Sequence, residues 1–342
     1  MRGSAIGLRL AAVMLGVAAA VGILEILLRV ASLAPLPAQL QDIVRDEAIG
    51  FRRRPGSVLR GGAESGEFAF EYAHNSLGFR DVEHAAAKPS RTLRIVALGD
   101  SFTYGVGAAF ADTYLAQVER RLNERAGTDR AVEIIKLGMP RHFPLLERRT
   151  LEEYGLRFAP DIVMVAVLPN DVVDTALGAT SICATDTGYL VSCGGLDWGG
   201  LPAWLSLHSA LGRFALRQVR SNHLPPWQAL LADDGAYEPS WRELEAELTR
   251  MRELAQAHGA AFVVVTIPQS DPVESQSYFS TRLERWGAAH DAIVIPTFAA
   301  LQAAADPVRP LYWARDGHCT AAGYTVVADA IIAGLAAHGL AE

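Results

Sequence analysis

Five apolar segments recur along the chain: "LRIVAL" (93–98), "VEIIKLG" (132–138), "DIVMVAVLPND" (161–171), "AFVVVTIP" (261–268) and "AIVIPTF" (292–298). Each is nearly continuous in its hydrophobicity rather than alternating, as a strand covered on both faces should be. Helix-period stretches separate them. The first has Asp112 as its expected N-cap, Leu115, Val118 and Leu122 on one face, and Gly127 just past its end. "PLLERRTLEEYGLRF" (144–158) reads as one helix. "SWRELEAELTRMRELAQAHG" (240–259) opens with a capping-box pair, Ser240 and Glu243, and "TAAGYTVVADAIIAGLAAHG" (320–339) closes the chain. Alternating strands and helices predict an α/β three-layer sandwich around a mainly parallel five-stranded sheet.

The chain is long enough to bury a full core: 342 residues, 50% of them hydrophobic. The net charge of −7 argues against a nucleic-acid partner, since a phosphate-binding surface needs a basic patch. The one basic cluster, "FRRRPG" at 51–56, reads as a solvated linker.

Ahead of the α/β region lies "LAAVMLGVAAAVGILEILL", from Leu10 to Leu28. As a helix it rises roughly 28 Å, about one hydrocarbon thickness. Glu25 interrupts it one turn before Arg29, and an i,i+4 pair would soften the cost of that carboxylate. The run predicts an N-terminal transmembrane anchor over residues 1–35. A signal peptide cut after Ser32-Leu33-Ala34 is the rival, disfavoured by Pro35 and by the length of the run. Arg2 and Arg9 before the run nearly balance Arg29 and Arg45 after it, so charge alone scarcely orients it. Cys183 and Cys193 bracket a turn-rich segment whose ends could meet across a hairpin. A disulfide there would suit an oxidising compartment, placing the following domain on the extracytoplasmic side of the cytoplasmic membrane; two unpaired thiols are the alternative.

Residues 36–90 read as a linker and an edge strand, with Phe68, Phe70 and Tyr72 alternating before a turn at Asn75–Gly78. Residues 91–342 form the main domain. Within it, 172–238 is too long for an ordinary connection and reads as an insertion, carrying a short helix near 203–219.

Loops at the carboxyl ends of parallel strands gather at one sheet edge, where ligands bind. Ser101 follows the first strand, Gly138 the second and Asn170 the third; Asp316 and His318 immediately precede the last helix. The four blocks "GDSFTYG", "LGMP", "LPND" and "DGH", in this order over residues 91–338, resemble the signature blocks of the SGNH (GDSL-type) hydrolase superfamily, including membrane-anchored bacterial members. The resemblance implies a flavodoxin-like arrangement of the sheet and a serine esterase. Ser101 would be the nucleophile, His318 its base and Asp316 the group that orients the imidazole. The Ser101 and Gly138 N–H groups and the Asn170 amide would form the oxyanion hole. The spacing Asp-x-His departs from the commoner Asp-x-x-His; in an extended segment residues two apart still share a side. Cys319 stands where related sequences carry an aromatic residue and reads as a packed hydrophobe.

Asp100 and Asp171 are expected to brace their loops through backbone hydrogen bonds. His142 reads as an exposed loop residue, with a place in the pocket as the alternative. No Cys/His cluster has metal-ligand spacing, and no cofactor is implied. The expected partner is an ester-bearing small molecule, glycan or lipid. An acyl (acetyl) ester hydrolase leads, with an O-acyltransferase on cell-envelope polysaccharide and an inactive glycan- or lipid-binding relative as alternatives.

Overall fold

In the computed structural model the apolar segments at Thr92–Leu98 (β1), Ala131–Lys136 (β2), Ile162–Val167 (β3), Ala261–Thr266 (β4) and Ile293–Pro296 (β5) pair in the order β5-β4-β3-β1-β2, every ladder parallel. Residues 2–34, 42–127, 130–177, 183–185, 188, 190–191, 201–221, 235–270, 277–306 and 308–341 are described. The order is the flavodoxin-like one, with the topological switch between β1 and β3. Ile95, Ala97, Met164, Ala166, Val263 and Val265 share a core cluster with Leu115, Val118, Val327 and Ile331 of the helices Tyr114–Ala126 and Ala321–Ala337. Their strand neighbours Val96, Val163, Val165 and Val264 point to the other face and are fully buried too. Each such side chain contributes about 1.5–3 kcal/mol through burial.

The charged residue inside β1 is answered across the ladder. Arg94 faces Glu133 in register and donates to its Oε2 at 2.6 and 2.9 Å, with further bonds to the Ala86 and Phe158 carbonyls. A guanidinium with no exposed surface is tolerable only with that degree of pairing.

Several local expectations are corrected. Thr113, not Asp112, caps the helix Tyr114–Ala126, its Oγ1 accepting from the Ala116 N–H at 3.4 Å; Asp112 closes a short 3-10 turn. Ser240 lies inside a helix that begins at Glu238, where Pro239 supplies the fixed φ of a first turn. Residues 144–158 form three pieces, Pro144–Thr150, a π turn over Leu151–Gly155 and a 3-10 turn over Leu156–Phe158. Residues 43–73 do not extend the central sheet. They form two separate antiparallel ladders, Ile43–Asp46 with Gly50–Arg53 and Val58–Gly62 with Ala69–Ala73. The segment between these ladders and β1 is bonded to the α/β core rather than strung out: Asp81 accepts from the Lys136 N–H and from Nζ, and Lys88 pairs with Asp161.

The chain divides into two units, Met1–Gln41 with Thr180–Leu224, and Asp42–Ala179 with Pro225–Glu342. In the first, the helix Arg2–Val30 includes an apolar stretch, Ile6–Val30, long enough to cross a membrane. The Glu25–Arg29 pair forms, and Glu25 has a second role. Its carboxylate accepts the Ala210 and Leu211 N–H groups at 2.8 Å and the Ser209 hydroxyl at 3.0 Å, capping the helix Ala210–Ser221. Arg29 donates to the His208 carbonyl, and Arg213 to that of Ala34. The single helix expected near 203–219 is two, broken at Ser209. Cys183–Ala184 pairs with Leu190–Val191 as a hairpin; Cys193 lies outside the described residues.

Candidate active site

β1 runs into a tight turn at Gly99 and Asp100, and Ser101 opens the four-residue helix Ser101–Tyr104. Asp100 is its N-cap, accepting the Phe102 N–H at 2.9 Å, as a short carboxylate at a helix start should. Ser101 is therefore held at the carboxyl edge of the sheet, half-buried, with its hydroxyl 2.8 Å from His318 Nε2. His318 Nδ1 lies 2.6 Å from Asp316 Oδ1, and the Phe102 ring packs against the imidazole at 4.9 Å. Ser101 and the Asp316–His318 pair, 217 residues apart, thus form one hydrogen-bonded chain. With Nδ1–H donated to the carboxylate, Nε2 is left as the acceptor facing the hydroxyl.

The Asp316–His318 contact is made by a turn rather than an extended segment. Gly317 has φ +83°, in the left-handed region, and its N–H donates to the Trp313 carbonyl at 2.9 Å while the Trp313 N–H donates to that of His318. This fold-back lets a two-residue spacing deliver both side chains together.

Gly138 sits two residues past the end of β2, against the Ser101–Tyr104 helix. A Cβ there would lie 2.5 Å from the Thr103 carbonyl carbon and the Tyr104 nitrogen. The side-chain-free position thus makes room for the neighbouring helix backbone. Neither the Ser101 nor the Gly138 N–H is engaged by another group among the described residues. Asn170 lies at the start of the helix Pro169–Leu177, its Nδ2 donating to Asp100 Oδ2 at 3.3 Å and Asp174 Oδ2 at 3.2 Å; Gln269 Nε2 donates to its Oδ1 at 2.8 Å. The amide is thus oriented by three side chains, and its N–H bonds are long ones.

Beneath the site is a set of buried acids. Burial raises Asp100 and lifts Asp174 to about 6. Burial likewise pushes Asp171 and Glu147 well above the ordinary carboxylate range, with the nearby carboxylates adding to it. Asp171 also braces its loop, accepting the Leu168 N–H at 2.7 Å. His142 is neither exposed nor in the pocket. It is fully buried, edge-on to Phe51 at 6.0 Å, and burial lowers it to about 3. Cys319 is fully buried beside the site, and burial pushes its thiol up.

The sequence reading missed the supports. Arg80 is buried, stacks over Tyr72 at 4.1 Å, and donates to the carbonyls of Tyr104, Gly105 and Ala108, fixing the far end of the Ser101 helix. His74 Nε2 meets the Tyr104 hydroxyl at 2.7 Å. The one available signal was an arginine directly after the turn in "NSLGFRD", where a solvated residue would be the ordinary expectation.

A parallel α/β sheet with a Ser–His–Asp chain at its carboxyl edge defines the serine-hydrolase class of site. Residues 97–326 match the GDSL-like Lipase/Acylhydrolase family, and the chain belongs to that family. It is accordingly an ester-hydrolysing enzyme of the SGNH type. No curated protein matches it by sequence. Among solved structures it is similar to Axe2, an acetylxylan esterase from Geobacillus stearothermophilus, at 16% identity over 71% of this chain and 93% of that one, with a TM-score of 0.44. It is also similar to TesA, at 14% identity over 71% of this chain and 97% of that one, with a TM-score of 0.43.

Proposed function

We propose that the enzyme hydrolyses acyl esters through an acyl-Ser101 intermediate. The carrying observation is the 2.8 Å contact from Ser101 Oγ to His318 Nε2, in line with the 2.6 Å contact from Nδ1 to Asp316. His318 Nε2 takes the hydroxyl proton as Oγ attacks the ester carbonyl carbon. The carbonyl oxygen becomes an oxyanion received by the Ser101 and Gly138 N–H groups and by Asn170 Nδ2. Such a donor contributes about 2.7–4 kcal/mol to the transition state. The imidazolium, stabilised by Asp316, gives its proton to the leaving alkoxide as the C–O bond breaks. Water then repeats the sequence at the acyl-enzyme and releases the acid and Ser101.

The substrate we favour is an acetyl or other short acyl ester borne by a cell-envelope glycan, with the enzyme tethered beside it by a retained helix and its catalytic domain on the extracytoplasmic side. Retention is supported by Glu25, which caps a helix of the 180–224 segment; cleavage after Ala34 would remove that carboxylate. The experiment is hydrolysis of p-nitrophenyl esters from acetate to palmitate by the full chain in detergent, with Ser101→Ala as control. Turnover greatest with the shortest chains and abolished by the substitution is expected. No Ser101-dependent turnover of any ester overturns the proposal; a preference for palmitate overturns its short-acyl part. The mass of the membrane-extracted chain tests the anchor, and an N-terminus at Pro35 would refute retention.

A further inference from the structure

We propose that Glu67, at the tip of the Val58–Gly62/Ala69–Ala73 hairpin, is a positioning residue for the Asp316–His318 pair; this rests on the catalytic reading above. Its carboxylate accepts the Arg315 N–H at 3.0 and 3.1 Å and the Asp316 N–H at 2.9 Å. Two successive backbone amides converging on one carboxylate form an anion nest, here filled from within the chain. Bonds of this charge-assisted kind are roughly twice as strong as neutral ones. They fix the backbone of Asp316 itself, two residues from the imidazole that Asp316 orients.

The next residue extends the clamp. The Phe68 ring lies 5.2 Å from that of Trp313, and Trp313 Nε1 donates to the Gly107 carbonyl at 2.9 Å. The Gly107 N–H in turn donates to the Tyr72 hydroxyl at 3.2 Å. One hairpin outside the family-matched residues 97–326 therefore holds both halves of the site, the turn after Ser101 and the turn before His318. A loop carrying a left-handed glycine between its two working residues has several ways to relax. Glu67 and Phe68 remove that freedom.

The test compares the full chain with Glu67→Ala, Glu67→Gln and Arg60→Gln, the last an exposed change in the same hairpin. With p-nitrophenyl acetate, kcat should fall about tenfold to a hundredfold in Glu67→Ala while KM stays within about twofold, because misplacement of reacting groups acts on the chemical step. Glu67→Gln, which keeps an acceptor oxygen without the charge, should recover part of the loss, and Arg60→Gln should match wild type. The second readout is the far-downfield proton resonance of the His318 Nδ1–H···Asp316 bond, assigned by its absence in Asp316→Asn. It should broaden or vanish in Glu67→Ala and persist in Arg60→Gln. Unchanged kcat, or lost kcat with an unchanged resonance, overturns the proposal. Wild-type protein without ester turnover would instead refute the catalytic reading, and the resonance would then decide the role of Glu67 alone.

Discussion

Replacing Gly138 by alanine adds one methyl group at the point where two loops of the site meet. The new Cβ would sit 2.5 Å from two backbone atoms of the Ser101 helix, about 0.9 Å inside the 3.4 Å at which ordinary contact begins. Backbone φ is not the obstacle, since Gly138 is outside the left-handed region. The obstacle is that neither side yields easily. The Leu137 and Met139 N–H groups are bonded to the Ala97 and Gly99 carbonyls, and the helix is held by Asp100 at one end and Arg80 at the other. Relief requires the Gly138 N–H and the Ser101 helix to separate by something near the overlap. A misplacement of about 1 Å in a reacting constellation costs about a hundredfold in rate, or ~2.7 kcal/mol of barrier. Overpacking should also lower stability by about 1–3 kcal/mol. The assay is kcat/KM for p-nitrophenyl acetate alongside a thermal unfolding curve. A Gly138→Ala enzyme that keeps kcat/KM within about threefold would refute both the steric argument and the role of this N–H.

Asn170→Ala should lower kcat about 10²–10³-fold with little change in KM, measured by steady-state hydrolysis, because in the proposed mechanism the amide acts on charge that develops only in the transition state. His142→Phe should relieve acid lability. Burial holds His142 at about 3, so below its ordinary 6.5 the unfolded chain binds a proton the native state does not, and stability present above 6.5 is lost as pH falls. At about 1.4 kcal/mol per pH unit, the variant should lose about 2 kcal/mol less than wild type between pH 7.5 and pH 5 in urea unfolding. Glu147→Gln should act in the opposite direction. Burial raises Glu147, so the unfolded chain sheds a proton above about pH 4.5 that the native state retains, and wild-type stability falls as pH rises. The variant's advantage should therefore grow from pH 5 to pH 7 in the same measurement; a constant difference would refute it.

The central sheet was legible because burial on both faces leaves a strand no polar alternation. Val163, Val165 and Val263 have no exposed surface, and "DIVMVAVL" says so directly. Ser101, Gly138, Asn170, Asp316 and His318 were visible because each stands at a strand end or just before a helix, and the structure brings all five to one edge. Helix starts were less legible. Asp112 and Thr113 are both good caps, and only the 3-10 turn before the helix selects Thr113. The supports were not legible at all. Glu67 binds amides roughly 250 residues away, an encounter that no local pattern encodes. The loop position of His142 suggests exposure, yet tertiary packing against Phe51 encloses it.

The most direct measurement of the central claim is treatment of the full chain with a fluorophosphonate and mapping of the adduct by mass spectrometry. An activated serine predicts one adduct, on Ser101, with labelling lost in Ser101→Ala and His318→Ala. A folded protein labelled at another serine, or labelled at Ser101 equally well without His318, would contradict it.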